Sequence, residues 1–309
     1  MDPMRLRLLR ELGDRGSVTA VAAAMHVTAS AVSQQLAVLQ AGVPVPLTVR
    51  RGRNLVLTEA GEALAAAGAR VEEALTGARD AVDQFLGRQD RVVSVSAFHS
   101  AGHALFGPLL AALADGPRVS LRDADVAQRD FAGLTADHDL VVAHRLAHQP
   151  EWPSERLVVT PLLVEALDVA LPRAHPLAAQ RSVTPEQLAD ERWISVHDGF
   201  PLAGVLDHLG ALLGRPLRIE HRINEFFLAA DIVRTGAAVA IMPRITAAPL
   251  ATDSMVLRPI AGVELLRHVD VLARPDALAL QPVRAVLAAL RSVAADRAGR
   301  PPGDGPEGS

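Results

Sequence analysis

The chain has 309 residues, half of them hydrophobic, and a formal net charge of −4, which favours two or three structural units with substantial cores. Because it contains no cysteine, disulfides, thiolate metal sites and a cysteine-based redox sensor are excluded. We find no signal-peptide pattern and no apolar run as long as a membrane span, so we expect a cytoplasmic protein without a membrane partner.

Residues 16–40 predict two short helices separated by a tight turn. Ser17 and Thr28 are good N-cap residues for these helices. The second helix has one apolar stripe, formed by Val32, Leu36 and Leu39. Its opposite face carries polar side chains that suit base edges and phosphates: Ser30, Ser33, Gln34 and Gln35. The pattern predicts a helix-turn-helix, and the alternative is an ordinary helical hairpin with a solvated face.

Residues 46–57 predict two short strands joined by a turn at Gly52, with Arg50, Arg51 and Arg53 at the tip. A basic hairpin after a recognition helix is typical of a wing that contacts phosphates, whereas the alternative is a solvated charge cluster. Residues 1–58 carry seven arginines against three acidic residues, and this local positive charge favours nucleic acid as a partner.

Residues 59–87 form a proline-free segment that predicts one long helix. Its larger apolar residues recur at heptad-like spacing: Leu64, Val71, Leu75, Ala78, Val82 and Phe85. Such a seam can pair with a second copy of itself. The alternative is that the helix lies on its own domain.

From residue 92 onward, predicted strands alternate with helices, which favours parallel-sheet α/β units. The strands are predicted at 92–97, 119–122, 139–142, 157–160, 166–171, 193–196, 217–221, 237–242 and 269–272, and the helices at 104–114, 202–213, 226–234 and 283–294. We expect the tail from residue 297 to be disordered.

Ligands of open α/β sheets bind outside the carboxyl ends of strands, and two stretches qualify. One contains Phe98, His99 and Ser100, where a strand ends and a helix opens, and the other contains Asp198 and Phe200. Two residues at the start of a later helix, Asn224 and Phe226, complete the candidate set. The alternatives are that Ser100 only caps its helix and that the three phenylalanines pack in the core.

Catalytic and metal-binding patterns were sought as well. The histidine pairs 99/103 and 144/148 have zinc-compatible spacing, but no HExxH motif accompanies them. There is no nucleophile elbow, phosphate-binding loop with lysine, or Gly-x-Gly-x-x-Gly after a strand. We therefore expect no metal, no cofactor and no enzymatic activity.

The ordered set of N-terminal motifs resembles the LysR-type transcriptional regulators. The matching segments are residues 4–12, 16–19, 31–36, 45–47 and 57–61, although Ala29-Ser30 replace a common Gln-Pro pair. The resemblance implies a winged helix-turn-helix at 1–58 with the motif at about 18–37, a linker and dimerisation helix at 59–89, and an effector-binding domain at 90–296. The resemblance also implies that this domain has two subdomains, as periplasmic binding proteins do. Subdomain 1 would comprise residues 90–161 and 266–296, and subdomain 2 residues 162–265.

The resemblance also implies function and partners. The expected partners are double-stranded DNA carrying an interrupted inverted repeat, a small-molecule effector in the cleft between the subdomains, and the chain itself as a homodimer or homotetramer. RNA polymerase is a further partner if the protein is an activator. The alternatives are a solute-binding protein in which DNA binding is secondary and a constitutive DNA-architectural protein.

Overall fold

The computed structural model describes residues 1–52, 54–87, 91–153 and 156–299. Three helices and a hairpin form the N-terminal head: α1 (Pro3–Arg15), α2 (Val18–Ala24), α3 (Ala29–Ala41), β1 (Thr48–Arg51) and β2 (Asn54–Leu57). The hydroxyl of Ser17 accepts a hydrogen bond from Ala20 N, and that of Thr28 accepts one from Ala31 N. Both predicted N-caps therefore begin their helices.

The predicted apolar stripe of α3 is buried in the head. Val32, Leu36 and Leu39 are at most 7 % exposed and pack with leucines of α1 and with Val21 of α2. Burying this stripe removes apolar surface from water and leaves the opposite face of α3 in solvent.

The long helix α4 (Glu59–Phe85) packs against α1 through small residues. A Cβ on Gly61 would lie 2.0 Å from Leu47 O, and one on Gly68 would lie 2.9 Å from Leu6 Cβ. Glycine at these two positions therefore permits the close approach of backbone and side chains. Of the predicted heptad seam, Leu64 is partly buried against the core of the head, whereas Val71, Leu75, Val82 and Phe85 are exposed.

The C-terminal part is one continuous mixed sheet with helices on its faces. Its strand order is β4-β3-β5-β11-β6-β9-β7-β8, and β10 pairs with β6. The strands are β3 (Val93–Ala97), β4 (Val119–Asp123), β5 (Leu140–Leu146), β6 (Val158–Pro172), β7 (Arg192–Ser195), β8 (Arg218–Arg222), β9 (Val239–Pro243), β10 (Met255–Arg258) and β11 (Leu266–Ala273). The helices are α5 (His99–Ala112), α6 (Phe131–Leu134), α7 (Ala203–Leu212), α8 (Phe226–Arg234), α9 (Pro275–Leu278) and α10 (Gln281–Gly299).

Hydrophobic cores lie on both sides of the point where β6 changes partner. Residues 158–166 of β6 pair with β11, whereas residues 167–172 pair with β9 and β10. One core surrounds β3, β5, α5 and α10. The other half has two cores, one around β7, β9 and α7 and one around β9, β10 and α8. The cleft between the two halves opens beside the chain crossings.

Three features differ from the sequence prediction. The predicted strands at 157–160 and 166–171 are parts of one strand, β6. The strand continues past Pro161 because its pairing with β11 includes a bulge opposite Val269 and Asp270. The sheet is not wholly parallel, since the two crossing strands β6 and β11 pair antiparallel with their neighbours. The sequence does not predict strand β10, at 255–258, which pairs antiparallel with β6. The predicted disordered tail at 297–309 lies outside the described residues beyond Gly299.

Candidate DNA interface and ligand cleft

The polar face of α3 is exposed and unobstructed in this chain. Thr28, Ser30, Ser33 and Gln34 are all exposed. The hydroxyls of Thr28 and Ser30 lie 3.0 Å apart at the helix start, and the hydroxyl of Ser33 donates to Ala29 O at 2.9 Å. Each of these hydroxyl oxygens retains acceptor capacity for a further donor.

Gln35 is held differently from its neighbours on the predicted polar face. It is half-buried, and its Oε1 accepts a hydrogen bond from Arg5 Nε at 3.0 Å. This contact ties α3 to α1, so Gln35 positions the helix within the head.

The predicted hairpin is present and carries exposed basic side chains. Arg50 and Arg51 are exposed on β1, and the turn contains Gly52 in the left-handed region at φ 62°. Among the residues that the structure describes, the ion pairs of the head involve arginines of α1 and also Arg156 and Arg274, and none includes Arg50 or Arg51. The third predicted wing residue, Arg53, lies outside the described residues.

A small cavity of about 20 Å³ lies between the two halves of the C-terminal sheet. Six of the seven predicted ligand residues line it: Phe98, His99, Ser100, Phe200, Asn224 and Phe226. The seventh, Asp198, does not line the cavity, because its side chain is 86 % exposed and pairs with Arg222 Nη1 at 2.9 Å.

A buried ion pair closes the inner end of this cavity. Arg267 Nε donates to Glu165 Oε1 at 3.0 Å, and both side chains are fully buried. Glu165 Oε2 also accepts from the backbone N–H groups of Ile245 and Thr246, each at 2.9 Å. The pair therefore links the crossing strands β6 and β11 to the segment after β9.

Ser100 belongs to this network and does not cap α5. Its Oγ lies 3.3 Å from Arg267 Nη2, which donates to it, and 3.5 Å from Thr246 Oγ1. The N-cap position is Phe98, which has no side-chain acceptor to offer the first turn. The start of α5 thus leaves its positive dipole end facing the cavity.

His144 and Asp125 also line the cavity, and sequence reasoning assigned neither to it. The His144 ring stacks on Phe98 with centroids 4.2 Å apart, and complete burial, together with the charge of Arg267, lowers the pKa of His144 well below its usual value. Burial raises the pKa of the Asp125 carboxyl. Asp125 and His144 each follow a predicted strand. Considering the residues after every predicted strand would therefore have included both as candidates.

Contacts cross the cleft and hold its two sides together. His99 Nδ1 lies 2.8 Å from Glu225 Oε2, while its Nε2 lies 3.1 Å from Asp123 Oδ2. Gln149 Nε2 donates to Pro201 O at 2.9 Å. The cleft is therefore closed in this structure, and ligand entry requires these contacts to open.

Throughout the described ranges, no group of three or more His, Asp or Glu side chains is arranged to hold a metal ion. Likewise, none of the helices described has the length and apolarity needed to cross a bilayer.

A winged helix-turn-helix joined by a long helix to a two-part α/β cleft defines a DNA-binding protein with a ligand-binding domain. Two family models match the chain: "Bacterial regulatory helix-turn-helix protein, lysR family" over residues 4–62 and "LysR substrate binding domain" over residues 87–295. The chain belongs to the LysR-type transcriptional regulators. It is a DNA-binding transcriptional regulator whose C-terminal domain is an effector-binding domain, as the sequence predicted.

Relatives of known name are similar along most of the chain. A probable RuBisCO transcriptional regulator of Synechocystis is 27 % identical over 88 % of this chain and 80 % of its own length. A probable nitrogen assimilation transcriptional activator of Synechococcus elongatus is 27 % identical, with 91 % and 92 % covered.

Solved structures show the same fold. A full-length OxyR variant from Pseudomonas aeruginosa aligns with a TM-score of 0.66 at 20 % identity, covering 95 % of this chain and 94 % of that one. Full-length CbnR in complex with its target DNA aligns with a TM-score of 0.51 at 21 % identity, covering 95 % and 100 %.

Proposed function

We propose that α3 reads base edges through Ser30, Ser33 and Gln34, while Thr28 and the wing arginines contact phosphates. The observation that carries this assignment is the exposed polar face of α3 beside arginines that have no carboxylate partner among the described residues. Hydroxyl and amide groups can both donate to and accept from bases, whereas guanidinium groups suit phosphates. The wing arginines are Arg50, Arg51 and Arg53.

We propose that the protein binds an interrupted inverted repeat as a homodimer formed through the exposed seam of α4. Two recognition helices related by a two-fold axis require two half-sites of opposite orientation. A homotetramer would bring four heads to one promoter, and an activator would also contact RNA polymerase. The site of action is the cytoplasm, where bacterial DNA lies.

We propose that a small-molecule effector binds in the cleft lined by the six predicted residues. The cleft lies where β6 and β11 cross between the two halves of the sheet, so a ligand there can alter the angle between them. A change in that angle would change the spacing of the DNA-binding heads.

DNA capture tests the first part of the proposal. Purified protein is mixed with sheared DNA of the source genome at low salt, and the retained fragments are sequenced. Enrichment of an interrupted inverted repeat supports the proposed DNA interface. An absence of enrichment with folded protein would overturn it and favour the cleft as the main function.

A substitution at Ser100 tests the effector part. Ser100→Leu places an apolar side chain in the cavity and should abolish the response to ligand while leaving operator affinity intact. Ser120→Leu makes the same change at an exposed position of the same subdomain and should retain the response. An unchanged response in the Ser100 variant contradicts the assignment.

A further inference from the structure

The ligand cleft continues into a second, apolar cavity. This cavity also measures about 20 Å³ in the closed structure and shares Val196, Leu202 and Phe226 with the first. Beyond these shared residues its walls are mainly aliphatic, including Val205, Leu206, Ala229 and Ile241. A ligand that enters both cavities when the cleft opens would have a polar head in the first and an apolar body in the second.

Arg267 presents an unused donor at the polar end. Its Nε and Nη2 donate to Glu165, Thr246 and Ser100. Its Nη1 has no hydrogen-bond partner among the described residues, although the side chain is fully buried and lines the cavity. A buried charged N–H group without an acceptor is energetically costly, so this geometry favours a ligand that supplies one.

The groups beside Arg267 are donors as well. His144 Nδ1 also lacks a partner within the described part of the chain, and burial next to Arg267 keeps this imidazole neutral, with one N–H to donate. The first turn of α5 begins at His99 without a side-chain cap, and His99 and Ser100 line the cavity, so uncapped N–H groups of this turn lie at its wall. Three independent donor groups therefore converge where the ligand head would lie.

Carboxylates around the cavity limit the charge that it can accept. Asp125 lines the cavity, and Glu225 and Asp123 flank His99 at its edge. The charge of Arg267 is already balanced by Glu165. One additional negative charge can be held by the donors, whereas a second would lie close to these carboxylates without a matching cation.

We propose that the effector is a monocarboxylate with an apolar body, its carboxylate bound by Arg267 Nη1, His144 and the start of α5. This inference rests on the proposed function only in that it places the effector in this cleft. The planar guanidinium suits a carboxylate, and the apolar body would pass Phe226 into the second cavity.

Calorimetric titration of the full-length protein tests the proposal. The probes are benzoate, 3-phenylpropionate, hexanoate and octanoate, each compared with its primary amide, and phthalate serves as the dianion. At least one monocarboxylate should bind about tenfold more tightly than its amide, since a hydrogen bond to a charged group is lost in the amide. Phthalate should bind more weakly than benzoate.

Variants of the Arg267–Glu165 pair test whether Arg267 binds the carboxylate. Arg267→Lys keeps the positive charge beside Glu165 but loses the planar guanidinium and its Nη1 donor. It should weaken carboxylate binding about tenfold or more. The double variant Glu165→Gln with Arg267→Gln removes both buried charges together, avoids a lone buried carboxylate and should abolish the preference for acid over amide. Arg129→Lys, at a side chain that is 84 % exposed, is the matched control.

The outcomes separate this inference from the proposed function. The anion proposal is overturned if no carboxylate binds with a Kd below about 10 mM, if the amides bind as tightly, or if both pair variants bind like wild type. A carboxylate that binds through Arg267 without changing operator affinity supports the anion site but refutes its regulatory role. An amide that binds equally and changes operator affinity supports the effector cleft and refutes the anion site.

Discussion

Arginines of this chain include buried residues that pair with carboxylates and exposed residues on the wing. Arg10, Arg267 and Arg274 are buried, and each pairs with carboxylates. Arg50 and Arg51 are exposed, with no such partner among the described residues. A buried guanidinium must be compensated within the fold, whereas an exposed one is available to an external phosphate.

Replacing Arg51 with alanine should weaken binding to all DNA sequences alike. Loss of one phosphate contact per head should also reduce the slope of log K against log salt by about 1 per head. Electrophoretic mobility shifts at several salt concentrations measure both effects, with exposed Arg129→Ala in the effector domain as control. A loss confined to one DNA sequence would instead make Arg51 a base-reading residue.

His144 should make the effector domain less stable as the pH falls. Its pKa is well below 6.5 when folded and about 6.5 when unfolded, so below about pH 6.5 the unfolded chain binds a proton that the folded chain does not. The free energy of unfolding should therefore fall by up to about 1.4 kcal/mol per pH unit from this group.

Urea unfolding at pH 7, 6 and 5, followed by fluorescence of Trp152 and Trp193, measures this dependence. His144→Gln should flatten it, whereas His148→Gln, at an exposed imidazole, should not. Part of the slope should remain, because burial also lowers the pKa of His138. An equal slope in wild type and His144→Gln would contradict the prediction.

At the scale of single elements, α4 combines two different surfaces. One surface is made of small residues that pack on α1, and the other is the exposed apolar seam. The two alternatives drawn from its sequence are therefore not exclusive, since the helix and the first seam residue, Leu64, pack on the head, while the later seam residues from Val71 to Phe85 are exposed.

Two glycines of α4 should respond oppositely to alanine. Gly61→Ala should destabilise the head by on the order of 1–3 kcal/mol, because its Cβ would meet the backbone oxygen of Leu47. Gly77→Ala should be neutral or stabilise by up to about 1 kcal/mol, because Ala279 Cβ lies 3.9 Å from the new methyl group and alanine favours helix. Thermal unfolding followed by circular dichroism compares the two, and equal melting curves would contradict the packing at Gly61.

A charge in the seam should dissociate the proposed dimer. Leu75→Asp introduces a carboxylate between exposed apolar residues of the heptad pattern, and should weaken self-association at least about tenfold. Sedimentation velocity over a concentration series measures this effect. Glu73→Ala, on an exposed position outside the seam, is the control. An unaltered association constant in Leu75→Asp would place the dimer interface elsewhere.

At the scale of the whole molecule, ion pairs join the DNA-binding head to the effector domain. Arg274 Nη1 donates to Glu11 Oε1 of α1 at 2.6 Å, and Arg10 Nη1 donates to Asp276 Oδ1 at 2.8 Å. The neighbouring arginines outweigh burial and lower the pKa of Glu11. If an effector moves this domain as proposed, the motion would therefore reach α1 directly as well as through α4.

Replacing Arg274 with alanine should loosen this contact. The substitution removes one of the cations that pair with the buried Glu11 carboxylate. Such a loss typically lowers the free energy of unfolding by about 3–5 kcal/mol. Hydrogen exchange should accelerate in α1 and α9, while Arg291→Ala at an exposed position should leave it unchanged. Unaltered exchange in Arg274→Ala would show that the head is not held by these pairs.

The sequence by itself determined the elements whose order is local. The caps at Ser17 and Thr28 and the stripe at Val32, Leu36 and Leu39 follow from helical spacing alone, because their contacts span a few turns of chain. It also placed the strand-to-helix junction at Ser100, since a strand followed by a helix marks the edge where ligands bind.

Only the tertiary structure decided which distant residues meet. Arg267 and Glu165 are 102 residues apart, and no spacing rule joins them; the pairing of β6 with β11 does. The same pairing makes one strand of two predicted segments and orders β10, whose sequence alone does not predict a strand. Local periodicity reports which face of an element is apolar, but buried charge and strand pairing depend on contacts between elements, which only the folded chain brings together.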